Sequence, residues 1–259
     1  MMAKSFRRRV LEREILAGTF LGLGAAVTAE IAALSGFDWL LIDTEHGVGE
    51  HEALVPQLQA VAHRGAEPMV RIAFNDLVRI KRVLDLGARG IMVPWVKSAA
   101  EARAAVSALR YPPEGIRGAA RSTRATDYGR RFGEYFASAN AELVTIIQIE
   151  CREAVECVEE IAAVDGVDVL FVGPLDLSVS LGIPQQFDHP DFREALMRVV
   201  AAANHAGKAP GILIMDPAQL AATVDDGFRF IALGSDAGIL SNGMRDLAAA
   251  FDGVRQPER

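Results

Sequence analysis

Eight short apolar runs recur along the chain, and each is followed by a longer amphipathic stretch. The runs are "AGTFLGLG" (17–24), "FDWLLID" (37–43), "EPMVRIA" (67–73), "GIMVPWV" (90–96), "ELVTIIQIE" (142–150), "VDVLFVG" (167–173), "KAPGILI" (208–214) and "FRFIALG" (228–234). Helices are expected near 27–35, 50–64, 76–87, 98–110, 152–163, 191–206, 217–226 and 237–251. Eight strands, each followed by a helix, predict one closed parallel barrel, a single (β/α)8 TIM barrel. A length of 259 residues suits such a barrel, and no linker or low-complexity stretch divides it, so 1–259 reads as one domain. The irregular exception is 111–141, which carries Arg117, Arg121, Arg124, Arg130 and Arg131. A connection that long is usually functional or interface-forming. It could bind an anion, or it could be a solvated or subunit-contact loop.

Composition narrows the partners. Hydrophobic residues make up 51% of the chain, enough for a large core, and the net charge is −7. Neither a nucleic acid nor an acidic membrane surface is an expected partner. Cys151 and Cys157 form no CxxC, so a reducing compartment fits better than a disulfide framework. The N-terminal "MMAKSFRRRVLEREILAG" has no apolar run after its basic residues, and Glu12 and Glu14 interrupt the place of a signal core. No apolar run approaches the ~20 residues that span a bilayer. A cytoplasmic protein is expected, with Arg7–Arg9 as a solvated helix start.

Barrel enzymes gather their sites at the C-terminal ends of the strands. There the polar residues fall. The second run ends in Asp43, Glu45 and His46; the third carries Arg71 among apolar neighbours; the fifth ends in Gln148 and Glu150; the sixth leads into "GPLDLS" with Asp176; the eighth ends in Ser235 and Asp236. Strand side chains alternate faces. Ile147 and Ile149 therefore share one face, and Gln148 and Glu150 share the other. Helices cover the outside, so the polar pair points into the barrel, where it needs partners. Any one such residue could be a satisfied core polar group. Five at the same barrel end point to a site.

Glu150 and Asp176 come from consecutive strand ends and can reach one ion. Only oxygen donors are offered, which favours Mg²⁺ or Mn²⁺ over Zn²⁺, with Co²⁺ as a further option. Two protein ligands leave octahedral positions for water and a chelating substrate. His46, at the same end, reads as a base or its relay. His51 and His63 read as surface residues, and His189 and His205 as structural. Lysine is scarce, with Lys97 the one loose candidate for a Schiff base. "GSDAG" (234–238) could hold a phosphate or merely cap a helix. "GARG" (87–90) reads as a helix stop.

"GFDWLLIDTEHG", "VRI" with Arg71, "RGIMVPWV", "YPPEGIRG", "QIE" and "VGPLDLSVSLG" together resemble the HpcH/HpaI aldolase family, over about residues 15–251. The resemblance implies a metal-dependent, class II pyruvate aldolase with a phosphoenolpyruvate/pyruvate-type barrel. By resemblance, Glu150 and Asp176 are the divalent-metal ligands. Arg71 contacts the keto oxygen and stabilises the enolate, and His46 transfers protons. Asp43 and Asp85 support the site, and Gln148 lies beside the metal. The amides of Leu175 and Asp176 hold the substrate carboxylate; Pro174 has no amide proton to share that task. Leu213 is counted with the substrate-binding residues. Family members are typically hexamers, trimers of dimers that exchange the eighth helix. Phe20 stands where some relatives have tryptophan, and "ARSTRATDYG" departs from better-known members.

The implied reaction cleaves or forms a 4-hydroxy-2-oxo acid through the enolate of pyruvate, or of hydroxypyruvate, and an aldehyde. A related metal-dependent C–C lyase or an oxaloacetate decarboxylase could use the same enolate. A non-catalytic 2-oxo acid-binding protein is the reading from another class.

Overall fold

The eight apolar runs are strands in the computed structural model, which describes residues 4–49 and 51–251. They are β1 (Leu16–Leu21), β2 (Trp39–Asp43), β3 (Glu67–Arg71), β4 (Gly90–Val93), β5 (Val144–Ile149), β6 (Val169–Val172), β7 (Ala209–Ile214) and β8 (Phe230–Ser235). Each pairs in parallel with the next, and β8 pairs back with β1, so the sheet closes into a barrel. The helices are α1 (Phe6–Leu11), α2 (Ala26–Ala33), α3 (His51–Val61), α4 (Leu77–Asp85), α5 (Ala99–Leu109), α6 (Phe132–Glu142), α7 (Arg152–Glu156), α8 (Val158–Ala162), α9 (Pro174–Ser180), α10 (Pro190–His205), α11 (Leu220–Asp225) and α12 (Asp236–Ala249). Helices lie between successive strands, as a (β/α)8 TIM barrel requires. The side chain of His51, expected at the surface, lies outside the described residues, as do residues 1–3, 50 and 252–259.

The period-2 alternation of each strand sorts its side chains into two cores. Leu40, Ile42, Val70, Ile91, Ile147, Ile149, Leu170, Val172 and Ile212 face outward and join the helices in one apolar shell. Phe20, Trp39, Leu41, Met69, Met92, Val144, Ile146, Phe171 and Phe230 fill the barrel interior. Trp39 stacks on Phe230 with ring centroids 4.1 Å apart. Gly18 makes room for that stack, since a Cβ there would fall 2.1 Å from the Trp39 ring. The interior is therefore a packed plug, and the inward positions above it are left for chemistry.

Four expectations change. Arg7 and Arg9 are not simply solvated. Arg7 Nε sits 3.0 and 3.1 Å from the two oxygens of Asp168, a fully buried carboxylate at the start of β6, and Arg9 reaches Asp38 at 2.8 Å. Through these pairs α1 closes the N-terminal end of the barrel, with Val10 buried in the interior core. The 111–141 segment is not wholly irregular: it holds a 3₁₀ turn (Arg124–Thr126) and nearly all of α6. The helix expected over 152–163 breaks at Cys157 into α7 and α8. The motif after β6 opens a short helix, α9, with Pro174 in its first turn, where a missing N–H costs nothing.

No residue of α12 is buried. Ile239, Leu240, Met244 and Leu247 are all exposed, as are Val27 and Ile31 on α2 and Leu34 at its C-terminal cap.

Candidate active site

Strand register brings the polar ends together. Asp43, the last residue of β2, pairs with Arg71, the last residue of β3. Both are inward positions directly above the interior plug. The Arg71 guanidinium donates from Nε to Asp43 Oδ1 at 3.0 Å and from Nη2 to Oδ2 at 2.6 Å. Its Nη1 lies 3.0 Å from Glu45 Oε2. Its carbon stands 5.3 Å from the centre of the Phe20 ring. Arg71, flanked in sequence by Val70 and Ile72, finds its partners here: two carboxylates hold its edges, and one aromatic ring lies against it. A planar fork held this way presents fixed N–H directions to a ligand.

The second half of the cluster comes from β5 and β6. Gln148 points into the barrel, two residues beyond the inward Ile146, and Glu150 follows on the same face. Both are buried. Glu150 Oε1 accepts the backbone N–H of Trp95 at 2.7 Å, and its Oε2 accepts Gln148 Nε2 at 2.6 Å. Gly173, where β6 gives way to α9, leaves space beside this carboxylate: a Cβ there would sit 2.7 Å from Glu150 Oε2. Asp176, in the first turn of α9, is half-buried and close enough to raise the proton affinity of both Glu150 and Glu45. Leu175 is exposed on the same turn, and Leu213 packs partly buried against the top of the interior core.

A sequence model of the HpcH/HpaI aldolase/citrate lyase family matches residues 16–243. The chain belongs to this family. It is 43% identical to the pyruvate aldolase of Rhizobium etli, over 95% of this chain and 96% of that one. It is 42% identical to the 4-hydroxy-2-oxo-heptane-1,7-dioate aldolase of Salmonella typhimurium, over 90% and 89%. A solved HpcH/HpaI aldolase/citrate lyase family protein from Burkholderia cenocepacia superposes with a TM-score of 0.90 at 38% identity, over 96% and 98%. The protein is an enzyme, a carbon–carbon lyase of the aldolase type.

In this aldolase the cluster carries more negative than positive charge. Asp43, Glu45 and Glu150 act on the single guanidinium of Arg71, and Asp176 acts on Glu45 and Glu150. Burial, together with Asp176 and Glu45, pushes the Glu150 carboxyl up to about 7, against the pull of the Trp95 amide and Arg71. Burial also raises Glu45. Asp43 goes the other way: burial works against its charge, but Arg71 outweighs that and holds it below the usual carboxylate range. A set of oxygen donors with surplus negative charge fits a divalent cation. Gln148 Oε1 adds a buried acceptor with no hydrogen-bond partner beside Glu150. Among the described residues no three acidic, histidine or cysteine side chains converge as a complete cage. Two carboxylates, Glu150 and Asp176, are the set that fits.

Not every residue implicated by the sequence reaches the cluster. Asp85 ends α4, which runs back along the barrel from the end of β3 to the start of β4, so it lies at the opposite end. Its carboxylate accepts from Arg117 Nη2 at 2.8 Å, and that guanidinium is fully buried against Tyr111 and Tyr135. Within one chain Asp85 cannot support the site. Ser235 caps α12 through Gly238 N–H, and Asp236 accepts the amides of Gly22 and Leu23, so "GSDAG" is a helix cap. Lys97 lies over the Trp95 ring at 5.7 Å.

Two contributors escaped sequence reasoning. Trp95 serves through its backbone amide from a left-handed conformation, φ 55°. Such a backbone costs an L-residue roughly 1–2 kcal/mol and tends to occur where function demands it. Nothing in "VPWV" announces it. Gly173 contributes empty space, and its only signal was its place in the "VGPLDLS" motif.

Proposed function

We propose that this aldolase cleaves and forms 4-hydroxy-2-oxo acids, with pyruvate or hydroxypyruvate as the enolate donor. The observation that carries the reading is the juxtaposition of a clamped Arg71 with the carboxylate pair Glu150 and Asp176 at one barrel mouth. A divalent ion held by Glu150 and Asp176, Mg²⁺ or Mn²⁺ by donor type, would act as a Lewis acid on the bound 2-oxo acid. The residues of the chain do the rest. Arg71 offers N–H groups to the keto oxygen and meets the negative charge that develops on it as the enolate forms. Asp43 keeps that guanidinium from turning away, because its carboxylate is spent on two parallel hydrogen bonds. The amides of Leu175 and Asp176, in the first turn of α9, orient the substrate carboxylate. Gln148 braces Glu150, and Leu213 walls the pocket. His46, exposed at the edge of the mouth, takes and returns the proton at C3.

The exposed apolar residues of α12 and α2 support assembly through that helix, in line with a hexamer of paired subunits that exchange α12. A cytoplasmic setting suits the unpaired Cys151 and Cys157. No helix among the described residues is long and apolar enough to cross a membrane.

The test is cleavage of a 4-hydroxy-2-oxo acid, read as pyruvate released, before and after treatment with a chelator. Activity lost on chelation and restored by Mg²⁺ or Mn²⁺ supports the proposal. Full activity in chelated protein overturns the metal role. Release of CO₂ from oxaloacetate with no cleavage of any 4-hydroxy-2-oxo acid overturns the substrate class.

A further inference from the structure

Asp236 opens α12 at the site end of the barrel, and its carboxylate is turned toward the connection between β1 and α2. Its Oδ1 accepts the backbone N–H of Gly22 at 2.8 Å and of Ala237 at 2.8 Å. Its Oδ2 accepts the N–H of Leu23 at 3.3 Å and the Thr28 hydroxyl, in the first turn of α2, at 3.0 Å. Capping α12 requires none of the bonds to Gly22, Leu23 and Thr28, because Ser235 already caps it through the Gly238 N–H at 3.1 Å. One carboxylate at the base of α12 therefore gathers three donors from another part of the chain.

The connection held in this way touches the turn that carries His46. Gly22 C=O accepts the Val48 N–H at 2.9 Å. Beside this bond the two backbones meet with no side chain between them. A Cβ on Gly24, which has a left-handed φ of 64°, would lie 2.9 Å from the Gly49 Cα. A Cβ on Gly47 would lie 3.2 Å from the Gly22 carbonyl oxygen. A contact of backbone on backbone has no rotamer with which to absorb a displacement, so a shift in one loop is passed to the other. The turn thus has two anchors. Residues 44–46 are fixed from β2 and β3: Asp43 Oδ1 accepts the Glu45 and His46 amides at 3.0 and 3.3 Å, and Arg71 C=O accepts the Thr44 amide at 3.0 Å. Residues 47–49 rest on the β1–α2 connection, and that connection rests on Asp236.

We propose that Asp236 is a positioning residue for the aldolase reaction: through Gly22 and Val48 it fixes the outer half of the turn after β2, and so ties the geometry of the barrel mouth to the placement of α12. The inference rests on the proposed role of His46. Asp236 acts through backbone alone, and its effect is one of distance. Proton transfer requires the imidazole within about 3 Å of the atom it serves. A misplacement of about 1 Å, caused by a change far from the chemistry, costs on the order of 10²-fold in rate. The helix that Asp236 opens is also the one that leaves Ile239, Leu240, Met244 and Leu247 exposed. A partner that takes up this apolar face and shifts α12 shifts the turn with it, so assembly and the proton-transfer step share one anchor.

The experiment uses the full chain with Mg²⁺ and takes two readings. One is exchange of pyruvate methyl protons in D₂O. The other is amide deuterium uptake by the peptide that contains Val48, read by mass spectrometry without substrate. Asp236→Asn turns an NH₂ toward donors that now meet a carboxylate oxygen. Thr28→Val removes one donor and keeps the shape. Ser235→Ala, the control, removes the cap of the same helix and leaves the Asp236 contacts in place. Thermal melts and light scattering check folding and assembly. Asp236→Asn is expected to lower saturated pyruvate exchange about tenfold or more. Its half-saturating pyruvate concentration is expected to stay within about twofold, because Arg71, Glu150 and Asp176 stand on other elements. Uptake at the Val48 peptide is expected to quicken about tenfold, and Thr28→Val is expected to move both readings the same way by less. Ser235→Ala is expected to lower the melting temperature and leave both readings at wild type. Folded Asp236→Asn with wild-type uptake at the Val48 peptide would overturn the proposal. So would equal losses in Asp236→Asn and Ser235→Ala, which would reduce Asp236 to a stabiliser of α12. If Asp236→Asn does not fold, wild-type uptake and exchange in Thr28→Val decide against the proposal. Amide uptake requires no turnover. Wild-type protein that exchanges no pyruvate protons would therefore refute the enolate chemistry and leave the anchoring by Asp236 to be judged on uptake.

Discussion

At the scale of single residues the site is a problem in buried charge. Three carboxylates act on one guanidinium and a fourth, Asp176, acts on two of them. Asp43 is neutralised by Arg71; burial raises the Glu150 carboxyl to about 7 until a cation arrives; burial also raises Glu45, beside Arg71; Asp176 is half-buried. Arg71→Lys keeps the charge and loses the fork. It is expected to reduce kcat for retro-aldol cleavage by about 10²-fold, the scale of losing one preorganised oxyanion donor. Steady-state kinetics with a 4-hydroxy-2-oxo acid measure it. Gly173→Ala places a methyl carbon 2.7 Å from Glu150 Oε2, and the carboxylate must give way. The variant is expected to fold and to bind Mg²⁺ about tenfold more weakly, as disturbed metal surroundings commonly do; titration calorimetry reads the change.

At the scale of elements, the strands were the most legible part of the chain. Their apolar runs are short, bounded by Gly, Pro and charge, and each predicted run overlaps its strand within a few residues. Parity then carried the argument inward: once Ile147 and Ile149 face the helices, Gln148 and Glu150 must face the interior. What the sequence hid depends on long-range partners. Arg7–Arg9 look like a solvated charge run, and only the fold reveals Asp168, 161 positions away, under Arg7. Asp85 looked like a site residue because its motif resembles the family's, yet α4 carries it to the wrong end of its own barrel. The hydrogen bond from Trp95 to Glu150 depends on a backbone angle that no side-chain pattern encodes. The N-terminal helix offers a test of this division of labour. Val10 is fully buried at the end of the barrel remote from the site. Val10→Ala is expected to cost about 2 kcal/mol of stability through the cavity it leaves. Retro-aldol kcat is expected to stay close to wild type, and denaturant melts with parallel kinetics separate the two effects.

At the scale of the whole molecule, the barrel divides stability from chemistry. Its interior plug and N-terminal closure hold the fold, and its C-terminal mouth concentrates charge that destabilises it. The Glu150 carboxyl, raised from its ordinary 4.5 to about 7, makes that tension measurable. Its contribution to stability is fully present below about pH 4.5 and is lost as pH rises through about 7 in metal-free protein. A cation binds the charged form, so its stabilising effect has the opposite trend. The rise in melting temperature on adding Mg²⁺ is expected to be larger at about pH 8 than at about pH 5.5, with little effect in Glu150→Gln. Differential scanning calorimetry at the two pH values checks the sign.

The most direct test of the central claim, that this barrel mouth turns a 2-oxo acid into its enolate with the help of a cation on Glu150 and Asp176, is deuterium exchange into the pyruvate methyl group. Proton NMR in D₂O follows it without any aldehyde. Wild-type protein with Mg²⁺ is predicted to exchange those protons, to lose the activity about 10²-fold or more on chelation, and to regain it when the ion is restored. Glu150→Gln is predicted to stay inactive in either condition. Exchange that continues at full rate in chelated protein, or in Glu150→Gln, would contradict the account.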